Sequence, residues 1–162
     1  TSTGAITTRM SSGMPDLTGL SISDVATATN VTLAADTISV INYTGAAAAT
    51  MTLPAATAGT IVVYCQSKDT TGGTATLVFD AAGSDVWATG SVIESRASSE
   101  VTFDTSAAGE TKLTFTPANA ATNLLTTGGQ IAFICYEDAT WHIATKLAAE
   151  TTQVTGAFVF AA

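Results

Sequence analysis

The sequence predicts an all-β fold: a single β-sandwich or jelly-roll-like domain over residues 30–162, led by an extended N-terminal arm over residues 1–29. Three observations predict it. Short runs of Val, Ile, Thr and aromatic residues alternate with a period of two, the period of side chains on a strand. Gly, Pro, Asn and Asp break those runs every roughly 8–12 residues, as in sandwiches and barrels. No stretch carries a long helical stripe; a helical turn fits only from Pro117 to Leu125, which is short and Asn-rich.

The arm is punctuated by Gly13, Pro15 and Gly19 and has only singly placed apolar residues. A plain linker is one reading. Ile6, Met10, Met14, Leu17, Leu20 and Ile22 are more apolar anchors than a linker needs. The arm is therefore expected to lie on a neighbouring subunit or partner, with Ile6, Met10, Met14 and Leu17 as contact residues.

Strands are predicted from Asn30 onward. Val31–Leu33 comes first, then Thr37–Tyr43, where Ile38, Val40 and Asn42 oppose Ser39, Ile41 and Tyr43. Thr44–Ala46 turns the chain, and the short strand Thr50–Pro54 is stopped by its proline. Thr60–Gln66 is apolar on both faces and is predicted to be central. Lys68–Gly73 reads as a hairpin loop, with Thr74–Phe79 returning along the strand before it. Val86–Trp87 and Ser91–Ile93 are weaker candidates; Glu100–Phe103 and Thr111–Phe115 are cleaner, with Leu113 and Phe115 opposite Lys112, Thr114 and Thr116.

The strongest pattern is the hairpin Gln130–Thr145, turning at Glu137–Thr140. Its first arm sets Ile131, Phe133 and Cys135 on one face and Ala132, Ile134 and Tyr136 on the other, so it too is predicted to be central. Trp141 and Ile143 alternate with His142 and Ala144 on the second arm. The apolar tail includes Phe158, Val159 and Phe160, an uncharged β-prone end that a partner or its own sheet must cover. The two Thr-Thr-Gly-Gly segments ending at Gly73 and Gly129 have unlike flanks, and no internal repeat is assigned.

Composition excludes some partners. Charged residues are 11% of the chain, against roughly 25% in ordinary soluble domains. Thr makes up about a fifth of it, so the surface is neutral and hydroxyl-rich. The net charge is −8, and Arg9, Lys68, Arg96, Lys112 and Lys146 stand singly, so nucleic acid is not an expected partner. Anionic membrane surfaces are disfavoured for the same reason, and no apolar run approaches the ~20 residues of a spanning helix. The first residues lack the pattern of a signal peptide.

No chemistry is expected. His142 is the only histidine and no Gly-x-Ser-x-Gly elbow exists, so a hydrolytic triad has no basis. The acids are isolated except Glu137-Asp138, which sits in a turn. Two cysteines and one histidine do not build a zinc site, and no cofactor is expected. Turn carboxylates at Asp80, Asp85 and Asp104 are the remote candidates for a loop-held cation. Cys65 and Cys135 read as buried reduced thiols; a bridge between them would need adjacent strands with Cβ atoms within ~4.5 Å. Trp87 and Trp141 could form a sugar-stacking platform, although Trp141 belongs to the core pattern and Trp87 is the more open case.

Two stretches carry a resemblance. Leu53–Gly59 leads into Ile61–Tyr64, and the hairpin segment Phe133–Ile143 holds a strand, a turn and Trp141. Together, over roughly Leu53 to Thr145, they resemble the small β-structured virion proteins of tailed bacteriophages, which include capsid decoration proteins and domains of head or tail fibres. The resemblance implies a non-enzymatic homotrimer or other oligomer seated on a major capsid protein at the outer capsid surface, assembled in the host cytoplasm. It carries over no functional residues, because these proteins share no catalytic motif. A tail or fibre subunit is the first alternative, and a secreted carbohydrate-binding module or adhesin the second.

Overall fold

A computed structural model describes residues 21–25, 30–67, 75–96, 101–117, 129–147 and 156–162. These hold thirteen strands and no helix. The first seven strands alternate between two sheets. β1 (Ser21–Val25), β3 (Thr37–Ile41), β5 (Ile61–Gln66) and β7 (Val86–Trp87) belong to one, and β2 (Asn30–Thr32), β4 (Ala49–Thr52) and β6 (Leu77–Asp80) to the other. Within each sheet successive members pair in parallel: β1 with β3, β3 with β5, β2 with β4, and β4 with β6. The chain thus winds as a flattened coil, crossing from sheet to sheet at each turn.

This winding corrects one expectation. Lys68–Gly73 does not join a hairpin, because β5 and β6 lie in opposite sheets. A period of two says which face a side chain takes but not which strand lies alongside. Both strands find their partner one turn earlier in the coil. The start of the strands is also earlier than Asn30, since Ser21–Val25, assigned to the arm from sequence, is β1.

The later strands complete the sheets. β8 (Val92–Arg96) and β9 (Val101–Thr105) form a separate two-stranded ribbon. β10 (Lys112–Pro117) and β13 (Gly156–Ala161) pair antiparallel and extend the second sheet beyond β6. The hairpin of β11 (Gln130–Glu137) and β12 (Thr140–Leu147) is inserted between β5 and β7. The result is a six-stranded sheet, β1-β3-β5-β11-β12-β7, and a five-stranded sheet, β13-β10-β6-β4-β2. Both are mixed, and neither closes into a barrel. β5 and β11 each have neighbours on both sides, as their two-faced apolar patterns predict.

One core joins the sheets. Ile41, Val62, Tyr64, Phe133 and Trp141 from the first meet Met51, Leu77, Phe79, Phe115 and Phe160 from the second, all at 4% exposure or less. The Tyr64 and Phe79 rings meet edge-on at 5.1 Å across the sheets, and Phe79 meets Phe133 at 5.1 Å. Trp87 closes the cluster, 5.5 Å from Phe133 and 5.8 Å from Phe160. Each such side chain contributes about 1.5–3 kcal/mol on burial, and aromatic pairs add about 0.5–1.5 kcal/mol.

Candidate functional site: the outward face of the six-stranded sheet

In β5, Val62, Tyr64 and Gln66 point into the core, so Ile61, Val63 and Cys65 point outward. The register then builds two cross-strand rows on the outer face. In the first, Ile22 lies opposite Ile38, Ile38 opposite Val63, and Val63 opposite Ala132. In the second, Ile61 lies opposite Ile134 and Ile134 opposite His142. Ile61, Val63 and Ala132 form a second buried cluster, with Ile38 and Ile134 packed against it. The face is aliphatic at its centre, where Ile61, Val63 and Ala132 are buried within the chain at 7% exposure or less.

The margins of the face are open. Ile22 is 73% exposed and Tyr136 is 64% exposed, the two most exposed large apolar side chains among the described residues. Tyr136 meets the His142 ring edge-on at 4.9 Å. His142 Nε2 is buried and has no hydrogen-bond partner. His142 is therefore a side chain of this apolar face, packed beside Tyr136.

The other sequence candidates separate. Ile6, Met10, Met14 and Leu17 lie outside the described residues. Phe158, Val159 and Phe160 lie in β13, opposite Phe115, Thr114 and Leu113. Phe160 is buried in the domain's own core, whereas Val159 is 47% exposed on the opposite side. Trp87 and Trp141 are both fully buried, so neither offers a sugar-stacking surface. Trp87, flanked by Asp85 and Gly90, is the undecided case in the sequence, and the aromatic cluster encloses it.

The carboxylates of the loops hold backbone. Asp85 Oδ2 accepts from Ala56 N at 2.6 Å, Asp138 Oδ1 from Ala58 N at 2.9 Å, and Asp36 Oδ1 from Ile61 N at 3.1 Å. Asp104 Oδ2 accepts from Phe160 N at 2.6 Å, tying β9 to β13. Among the described residues no group of three or more His, Cys, Asp or Glu side chains is placed to hold a metal ion.

Both cysteines are free. Cys135 Sγ donates to the Glu137 carbonyl at 2.9 Å, and burial pushes its thiol up, the opposite of what a nucleophile needs. Cys65 sits on the outer face and is half-buried. The two thiols thus occupy opposite faces of the sheet.

The aliphatic face was within reach of the sequence. β5 and β11 are apolar on both sides, and one side of each must lie away from the shared core. What alternation does not show is that the outward sides of four strands fall into register. Neither a protein-family model, nor a curated protein, nor a solved structure matches the chain.

Proposed function

We propose that the chain is a non-enzymatic structural subunit of a virion: a β-sandwich that forms a homotrimer and seats on a major capsid protein as a decoration protein. The observation that carries this reading is the aliphatic outer face, bounded by the exposed Ile22 and Tyr136. Ile61, Val63 and Ala132 at its centre are buried within the chain itself, so the apolar surface it offers a partner is the margin at Ile22 and Tyr136. The charge content of 11% suits permanent contact, because charged groups are depleted from the centre of interfaces. The resemblance of Leu53–Tyr64 and Phe133–Ile143 to small virion proteins of tailed phages supplies the setting. Such a protein acts by bridging capsid subunits, which needs contact area of roughly 1,000 Å² or more rather than a reactive group.

A tail or fibre subunit is the second reading, favoured by the parallel winding of β1 to β6. Coils of this kind stack along one axis, as repeat architectures do.

Two measurements test the proposal. Light scattering at micromolar concentration is expected to give a trimer that Ile22→Asp with Tyr136→Asp dissociates; a wild-type monomer would sink the assembly reading. Antibody raised against the chain is then used to label purified phage particles by electron microscopy. Label on the shell supports decoration, label on the tail supports the second reading, and unlabelled particles reject both.

A further inference from the structure

Ile22 and Tyr136, the two exposed large apolar side chains of the outer face among the described residues, lie far apart. Ile22 is on the edge strand β1, and Tyr136 is near the far end of β11. Three strand spacings separate them in the order β1-β3-β5-β11. The register adds an offset along the strands, because Ile22 is level with Ile38, Val63 and Ala132, four residues before Tyr136. With strands about 4.8 Å apart and residues about 3.3 Å apart, the two positions are separated by about 20 Å. Neither can cover the other within one chain.

Tyr136 is held out by the backbone. Ile134 pairs with His142 and Glu137 with Thr140, so Cys135 and Tyr136 together stand against Trp141. This is a β-bulge, a device that re-aims a side chain. Cys135 turns into the core, and Tyr136 turns to the outer face, where the His142 ring braces it. The approach to this end of β11 is open. Its neighbour there is Gly59, which donates to the Cys135 carbonyl, and a side chain built at Gly59 would meet no atom within 4 Å.

We propose that Ile22 of one copy packs on the Tyr136 ring of the next, and that this contact, repeated, closes the homotrimer. The inference rests on the homotrimer reading and names the contact that builds it. A ring of copies is closed by a heterologous contact, a patch of each copy against a different patch of the next. The outer face supplies such a pair, and each member lacks its match within its own chain. Both are ends of apolar rows: Ile38 lies behind Ile22 and Ile134 leads to Tyr136, and both isoleucines are only partly buried. Opposite charge does not draw the patches together, since Asp24 lies two positions from Ile22 and Glu137 follows Tyr136. The contact is apolar, with a braced tyrosine as its anchor, a residue type enriched at the energetic centres of interfaces.

The test uses the full wild-type chain. Methyl-labelled and unlabelled chains are mixed in denaturant and refolded together, and NOEs filtered for contacts between chains are recorded; Ile22→Val identifies the Ile22 methyl signals. The expected result is an interchain NOE from the Ile22 methyls to the Tyr136 ring protons, lost when the unlabelled chain carries Tyr136→Leu. A trimer by light scattering in which Ile22 shows no interchain NOE, or one to Ile22 or any residue other than Tyr136, overturns this contact and leaves the trimer standing. A monomer by light scattering overturns both.

Discussion

Tyr64 donates its hydroxyl hydrogen to Oε1 of Gln66, two positions along the same strand, and Gln66 Nε2 donates to the Tyr43 carbonyl at 2.7 Å. All three residues are at 1% exposure or less. Tyr43 in turn donates its hydroxyl to the Ala75 carbonyl, so the chain of bonds links β5 to the segment that leads into β6. Gln66→Leu keeps the volume but strands the Tyr64 hydroxyl and the Tyr43 carbonyl. Each buried orphan costs about 1–3 kcal/mol, so the urea midpoint is expected to fall clearly. A midpoint at the wild-type value would show that water reaches both groups.

The same pair sets an alkaline limit. Burial pushes Tyr43 from 10.0 up to about 12, and burial raises Tyr64 further. Below pH 10 both states hold these protons and stability is complete. Between pH 10 and 12 the unfolded chain releases them while the folded chain keeps them, so protons favour the folded state and stability falls as pH rises. Urea midpoints measured from pH 8 to 11.5 are expected to be level with respect to these groups and then to decline above pH 10. Tyr64→Phe should make the decline shallower; an unchanged decline would place its origin elsewhere.

The sequence reached the faces of the strands but not their neighbours. Ile131, Phe133 and Cys135 alternate with Ala132 and Ile134, and the structure puts the first three in the core. Leu113 and Phe115 behave in the same way against Lys112 and Thr114. Alternation is a local property, written along each strand by the pleat. Pairing is not. The parallel partners of β5 and β6 lie a coil turn away, so a Gly-rich loop between two strands read as a hairpin. β1 is not legible in the sequence because Ser21–Val25 has one isoleucine among three polar residues, a composition shared with loops. Trp87 was undecided because a two-residue strand carries no period; its burial comes from Phe133 and Phe160, which are far away in sequence.

Ala139 holds φ at 63° in the β11–β12 turn, a left-handed conformation that costs an L-residue about 1–2 kcal/mol relative to its ordinary backbone. Its N–H donates to the Ala56 carbonyl at 2.9 Å, which fixes the turn against the Leu53–Gly59 loop. Glycine keeps that N–H and adopts the angle freely. Ala139→Gly is expected to raise the melting temperature by a few degrees, the unfolded-state entropy of glycine offsetting part of the gain. A lower melting temperature would mean that the turn does not hold this angle in solution.

Thiol labelling reads the placement of the two cysteines directly. Cys65 lies half-buried on the outer face, whereas Cys135 is fully buried and hydrogen-bonded to Glu137. A small thiol reagent is expected to modify one group per chain under native conditions, at Cys65, and both in denaturant. Mass should not change on reduction. Two native thiols reacting at equal rates would contradict the burial of Cys135.

The bond from Phe160 N to Asp104 Oδ2 joins the last strand to the β8–β9 ribbon, and it lies at the outer edge of the five-stranded sheet. Phe160 itself packs on Trp87, so an ordered edge and a sealed aromatic cluster depend on the same residue. Asp104→Ala removes a charged acceptor and leaves this N–H with no protein partner. Bonds of that kind contribute about 1.5–3 kcal/mol, and the half-exposed site places the loss toward the lower figure. Asp104→Asn keeps an acceptor oxygen and is expected to recover about half of it, since charge-assisted bonds are roughly twice as strong as neutral ones. Loss of the edge should also let water reach the indole, shifting Trp87 emission to the red in a Trp141→Phe background. A wild-type midpoint and emission in Asp104→Ala would mean that β13 is held by its pairing with β10 alone.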